Sequence, residues 1–93
     1  MPTYIIGVKL VENRTDKEIA ESIKRVAQVH TAHQGRLIAS YVTFGRYDMI
    51  WISEYPNERA AFEAMNTIRD QGMFEYEIAE AITLEEFLRD KNT

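Results

Sequence analysis

Six side chains in this sequence have the types needed to hold a small molecule: Lys9, Tyr41, Thr43, Tyr47, Asp48 and Trp51. Lysine is a compact cation with three donors and suits an anionic group. Tyrosine and tryptophan supply flat apolar walls with one polar handle each. Threonine and aspartate add short-range hydrogen bonds. Apolar walls with a few polar groups are what small-molecule sites are built from. An aromatic or carboxylate-bearing ligand, anchored by Lys9, fits that set.

Other chemistries have weaker support. His30 and His33 are three apart, so they share a helix face and have a spacing that can bind metal. No Asp or Glu stands near them in sequence to complete a site, and imidazole at a helix C-terminus is favourable on electrostatic grounds alone. A structural role is therefore expected for both. The absence of cysteine excludes disulfides, thiolate zinc, iron–sulfur clusters and a cysteine nucleophile. Ser22, Ser40 and Ser53 lack a nucleophile-elbow context. Gly7 and Gly35 are isolated and make no phosphate loop. Glu75/Glu77 and Glu85/Glu86 read as solvated or ion-paired carboxylates. No metal and no cofactor are expected.

The totals narrow the partners. With 93 residues, one domain over residues 1–93 is the default, and so small a chain gains from association. A homodimer or higher oligomer is expected. Net charge is −4, from 11 basic and 15 acidic residues, which disfavours nucleic acid and anionic membrane. The N-terminal apolar run is too short for a signal peptide. No apolar run approaches the ~20 residues of a membrane span. A soluble cytoplasmic protein is the expectation.

The elements that position these side chains can be read in order. Thr3–Leu10 is a strand, with Tyr4, Ile6, Val8 and Leu10 on one face and Ile5, Gly7 and Lys9 on the other. Gly7 marks a close approach, read as a packing allowance under a bulky neighbour. Thr15 and Glu18 form a capping box. Ile19, Ile23, Val26 and His30 make the buried stripe of the helix that follows, and Gly35 is read as its left-handed stop. Arg36–Phe44 and Met49–Tyr55 form a hairpin around Gly45-Arg46-Tyr47-Asp48. Asn57 caps a second helix with Ala61, Met65 and Ile68 inward, ended by Gly72. Met73–Ile82 is the fourth strand. Thr83 and Glu86 cap a short last helix, and residues 90–93 are expected to fray. The order β-α-β-β-α-β is the split βαβ, ferredoxin-like pattern.

The hairpin carries a resemblance. Gly45, Tyr47 and Asp48 form a Gly-x-Tyr-Asp signature, and the chain resembles the GYD-domain family that is named for it. The opening Tyr4-Ile-Ile-Gly7, the Glu54-Tyr-Pro-Asn57 corner and the final Thr83-Leu-Glu-Glu-Phe87 are also similar. The resemblance implies an α+β fold of the dimeric α/β-barrel type. That fold has a four-stranded antiparallel sheet, a short C-terminal helix, and two sheets packed face to face. It brings no reaction. The wider superfamily includes small-molecule-binding regulators of the Lrp/AsnC type, monooxygenases, haem-degrading enzymes and muconolactone isomerases. Fold does not choose among them.

A sheet with helices on one face leaves the other to be hidden or hydrated. On aliphatic content, Ile6, Val8, Ile50, Ile52 and Ile78 are assigned to the helix side. The open side then holds Gly7, Lys9, Tyr41, Thr43, Met49, Trp51, Ser53, Glu75 and Glu77, with Lys9 facing Glu75 or Glu77 across the ladder. The leading functional expectation is a homo-oligomeric small-molecule-binding or regulatory module. The alternative is a cofactor-independent monooxygenase or isomerase. Asn13, Trp51 and His30 are the residue types that the resemblance to haem-degrading relatives brings to mind for it. Tyr47 and Asp48 are read chiefly as hairpin residues that also lie at the mouth of the proposed pocket.

Overall fold

A computed structural model describes residues 1–91. Asn92 and Thr93, expected above to fray, lie outside the described residues. The elements are β1 (Thr3–Leu10), α1 (Asp16–Ala32), β2 (Arg36–Val42), β3 (Met49–Glu54), α2 (Glu58–Asp70), β4 (Phe74–Ala81) and α3 (Leu84–Lys91). The sheet runs β2-β3-β1-β4, and every neighbouring pair is antiparallel. The ferredoxin-like expectation is met, including the short last helix.

Local chemistry sets the helix starts as expected. Thr15 Oγ1 accepts from the Glu18 N–H, and Glu18 Oε1 accepts from the Thr15 N–H, both at 3.2 Å. Asn57 Oδ1 accepts from the Ala60 N–H at 2.8 Å, and Thr83 Oγ1 accepts from the Glu86 N–H at 3.0 Å. Each cap satisfies a backbone donor that the helix itself leaves open. Gly72, at φ +80°, follows the end of α2. At the end of α1 the left-handed residue is Gln34, φ 63°, and Gly35 has no positive φ. Gly35 is small for another reason: a Cβ there would run into the Tyr55 ring and the Glu54 carbonyl.

The core lies between α1, α2 and one face of the sheet. It joins Tyr4, Ile6, Val8, Met49, Trp51, Tyr55 and Phe74 from the sheet side to Val26, Ala61, Ala64, Met65 and Ile68 from the helices. This corrects the assignment of β3. Met49, Trp51 and Ser53 point under the helices, all 3% exposed or less, while Ile50 and Ile52 face the open side. The cause is register. Ile6 pairs with Trp51 and Val8 with Met49, whereas Ile5 pairs with Ile52 and Gly7 with Ile50. Directly paired residues share a face, so β3 cannot put its isoleucines beneath the helices while β1 puts Ile6 and Val8 there.

Trp51 is central to that core. Its ring meets Phe74 edge-on at 5.4 Å and His30 at 6.4 Å. His30 is fully buried. Its Nδ1 lies 2.8 Å from the Val26 carbonyl and its Nε2 2.7 Å from Ser53 Oγ. A carbonyl only accepts, so Nδ1 carries the proton and Nε2 takes the Ser53 hydroxyl. Burial pushes the imidazole below its ordinary range, which keeps it neutral in this role. His30 thus ties α1 to β3, the structural role expected of it.

β2 is shorter than expected, ending at Val42, and Phe44 beyond it is 99% exposed. A bulge between Leu37 and Ala39 shifts its register. Leu37 pairs with Ser53 on the helix side, whereas Ala39 and Tyr41 pair with Ile52 and Ile50 on the open side. Strict alternation along Arg36–Val42 would put Leu37, Ala39 and Tyr41 on one face, and the extra residue breaks it.

Replacing Trp51 by Ala removes the largest buried side chain and should cost about 3–5 kcal/mol. Urea denaturation at equilibrium measures it. A loss below about 1 kcal/mol, the range of sites away from a packed core, would contradict the central place given to this ring.

Candidate functional site

The open face carries Ala39 and Tyr41 from β2, Ile50 and Ile52 from β3, Ile5, Gly7 and Lys9 from β1, and Glu75, Glu77 and Ala79 from β4. At one end the β2–β3 hairpin folds over it. The Tyr47 ring lies directly on Gly7, where an added Cβ would stand 2.5 Å from Tyr47 Cε1. Gly7 is thus the packing allowance that its position suggested.

Two further contacts fix the hairpin. Asp48 Oδ2 accepts the Leu10 N–H at 2.8 Å, and the Asp48 N–H donates to the Val8 carbonyl at 2.8 Å. Asp48 therefore prolongs the β1–β3 ladder with its side chain. Thr43 Oγ1 donates to the Tyr47 carbonyl at 2.6 Å, and the Thr43 N–H donates to the Asp48 carbonyl at 3.0 Å. Gly45 has no positive φ, and nothing lies within 4 Å of a Cβ placed there.

The tyrosine hydroxyl reaches across β1. It donates to Glu77 Oε2 at 2.6 Å, while Arg46 holds Glu77 Oε1 at 3.0 Å and sits 5.7 Å from the Tyr47 ring centroid. The Tyr47 hydroxyl and then Arg46 stabilise the Glu77 carboxylate and lower its pKa. The same hydrogen bond raises the Tyr47 phenol. Lys9 is directly opposite Glu75 in the ladder. No carboxylate comes within 4 Å of its ammonium among the described residues.

Two recesses flank Tyr47. One, of about 90 Å³, is lined by Gly7, Lys9, Tyr47, Glu75 and Glu77. The other, of about 210 Å³, is lined by Ile5, Gly7, Tyr47, Ile50, Glu77 and Ala79. Neither alone reaches the ~300 Å³ at which ordinary ligand pockets begin.

The sequence-derived residues are therefore divided. Lys9 and Tyr47 come together at the recesses. Tyr41 is on the same face, 58% exposed, on the outer strand. Thr43 and Asp48 serve the hairpin backbone. Trp51 is not on this face. It is fully buried beneath the helices, for the register reason given above. Glu77 and Arg46 were missed as partners of Tyr47. Arg46 precedes Tyr47 in the chain, and the β1–β4 pairing of Gly7 with Glu77 brings the carboxylate within reach of both. Trp51 and His30 do meet, but in the core, with both imidazole nitrogens engaged.

The GYD domain model matches residues 4–89. The chain belongs to the GYD-domain family. Among curated proteins there is no match. Solved structures similar to this GYD domain include FFRP-DM1, at 17% identity and TM-score 0.65, covering 88% of this chain and all of the other. Another is the hypothetical protein PHS023 from Pyrococcus horikoshii, at 21% identity and TM-score 0.64, covering 89% and 92%. A third is a feast or famine regulatory protein of Mycobacterium tuberculosis complexed with L-methionine, at 7% identity and TM-score 0.68. That match covers 89% of this chain, which spans about half (51%) of the regulatory protein. At such identities the likeness establishes a shared fold.

Two outcomes test this geometry. Gly7→Ala should dislodge Tyr47 and cost about 1–3 kcal/mol, whereas Gly45→Val should stay within about 0.5 kcal/mol. Urea midpoints of the two variants compare them directly, and equal losses would disprove the close-packing account. In the second test, Tyr47→Phe removes the donor to Glu77. The Glu77 carboxyl should then titrate closer to its ordinary 4.5, as read by carboxyl NMR. The sign follows from linkage. Folding lowers this group, so its contribution is complete above about 4.5 and is lost as pH falls through the lower folded value. The variant should lose less stability than the parent over that acid range.

Proposed function

We propose that residues 1–93 act as one GYD unit, a homo-oligomeric small-molecule-binding or regulatory module of the cytoplasm that holds its ligand on the open sheet face. The observation that carries this reading is the uncovered apolar strip. Ile5 is 43% and Tyr41 58% exposed, Ile50 and Ile52 are only half-buried, and the strip runs beside the polar corner of Lys9 and Tyr47. A monomer rarely leaves so continuous an apolar surface in water. A second copy laid over it would hide the isoleucines and roof the two recesses, and pockets form readily at such junctions.

The apolar surface expected of Met49 and Trp51 is thus supplied by Ile50 and Ile52, and the mode of association is unchanged. Lys9 is the cationic anchor, Tyr47 the polar wall and Tyr41 an outer wall. Asp48 and Thr43 contribute by holding Tyr47 in place. The fold shared with a regulatory protein solved with L-methionine supports a small carboxylate-bearing ligand. No helix among the described residues is long and apolar enough to cross a membrane.

Light scattering at micromolar concentration should give at least twice the chain mass of 10.8 kDa, and Ile50→Lys should reduce it by placing an unpaired charge in the interface. A stable monomer for the parent chain would end this reading. Carboxylate-bearing amino acids and aromatic acids should raise the melting temperature by mass action. Lys9→Met should abolish that gain for the anionic members alone.

A further inference from the structure

One side chain divides the open face. The recesses of about 90 Å³ and about 210 Å³ both have Gly7, Tyr47 and Glu77 in their linings, so the Tyr47 ring is the partition between them. The smaller recess is polar, with Lys9 and Glu75. The larger is chiefly apolar, with Ile5, Ile50 and Ala79. Beneath the partition lies backbone alone. Gly7 has no Cβ, and one added there would stand 2.5 Å from the ring. Its neighbours across the two ladders are Ile50 and Glu77. The strand therefore offers a shelf one ring wide, with an isoleucine on one side and a carboxylate on the other.

The shelf is fitted to a phenol. Arg46 holds Glu77 Oε1 at 3.0 Å, which leaves Oε2 for the group that lies on Gly7. An ionised carboxylate only accepts, and here it accepts the Tyr47 hydroxyl at 2.6 Å. That bond lies at the surface, so water can replace it when the ring turns away. The hairpin keeps two ties to β1 without the ring, from Asp48 to the Leu10 N–H and to the Val8 carbonyl. Rotation of the Tyr47 side chain is therefore enough to clear the shelf. The two recesses and the room left by the ring then form one space, which reaches the ~300 Å³ at which ligand pockets begin.

We propose that Tyr47 is an internal stand-in for the ligand, and that the open face takes a phenol bearing an anionic group. The ligand ring displaces Tyr47 from Gly7, and its hydroxyl takes over Glu77 Oε2. Lys9, with no carboxylate within 4 Å of its ammonium among the described residues, receives the anionic group. This inference rests on the reading of the open face as a ligand site and narrows its ligand to a hydroxyphenyl acid. It also gives the site a threshold. The ligand competes with a ring carried by the same chain, so its apparent affinity is reduced by the fraction of time the shelf is free.

The test is an amide NMR titration of the full chain with 4-hydroxyphenylacetate, phenylacetate and p-cresol. The hydroxy acid should shift the amides of Gly7, Lys9 and Glu77 saturably, with a dissociation constant of roughly millimolar or tighter for so few ligand atoms. Phenylacetate lacks the donor and p-cresol the anion, so each should bind about tenfold more weakly. Tyr47→Ala should bind the hydroxy acid about tenfold tighter than the parent, as follows when the tyrosine fills the shelf about nine-tenths of the time. Tyr47→Phe keeps the ring and loses its tether, so it should tighten binding by a smaller factor, and it decides alone should the alanine variant not fold. Unchanged or weaker binding in the variants would make Tyr47 a fixed wall and overturn the proposal. Equal affinity for phenylacetate or p-cresol would also overturn it, and in the phenylacetate case the acid-binding reading of the face would survive. No saturable shift with any probe, in parent or variants, would overturn both.

Discussion

The register between β1 and β3 is the constraint on which the rest of the structure depends. Asp48 takes the Leu10 N–H and Tyr47 lies on Gly7, and together they pin the hairpin to β1 in one alignment. A slip by one residue would turn every β3 side chain to the opposite face. Trp51 would leave the core and the isoleucines would enter it. The Gly-x-Tyr-Asp signature is therefore first a register lock. The same lock puts the tyrosine ring on the open face.

His30 is the complementary tie on the helix side. Neutral imidazole joins the Val26 carbonyl on α1 to Ser53 on β3, so the polar pair within the aromatic core is fully matched on the imidazole. The helix layer and the hairpin are thereby referred to the same strand, β3. Changes at that strand are felt on both faces, with Trp51 and Ser53 below and Ile50 and Ile52 above.

Much of this was legible in the sequence. The element order, the three capped helix starts and the stop at Gly72 all follow from local chemistry, which acts over a few residues and leaves a local pattern. The side to which β3 points does not. Met49, Trp51 and Ser53 alternate with Ile50 and Ile52, so both faces of the strand are apolar, and alternation shows that two faces exist without saying which is covered. The answer depends on Ile6 lying opposite Trp51, a pairing between distant parts of the chain. The bulge after Leu37 leaves no residue type to betray it. Gly35 was read through its backbone freedom when what matters is the room it leaves for Tyr55. At the candidate site, Lys9 and Tyr47 were readable from alternation and from the hairpin. Glu77 was not, since only tertiary pairing brings it to Tyr47, and the pairing of Arg46 with that carboxylate follows from the same approach.

The two margins of the sheet have a consequence for how copies can meet. A free margin offers unsatisfied N–H and C=O groups to any passing strand. Here one margin, β2, is broken by its bulge, which twists and interrupts the template. The other, β4, carries Glu75, Glu77 and Glu80, so a second β4 alongside it would set carboxylate against carboxylate. Side-by-side growth into a ribbon is thus opposed at both ends of the sheet. Stacking face to face is not opposed, and it ends once two faces have met. Both margins of the sheet are thus built against filaments.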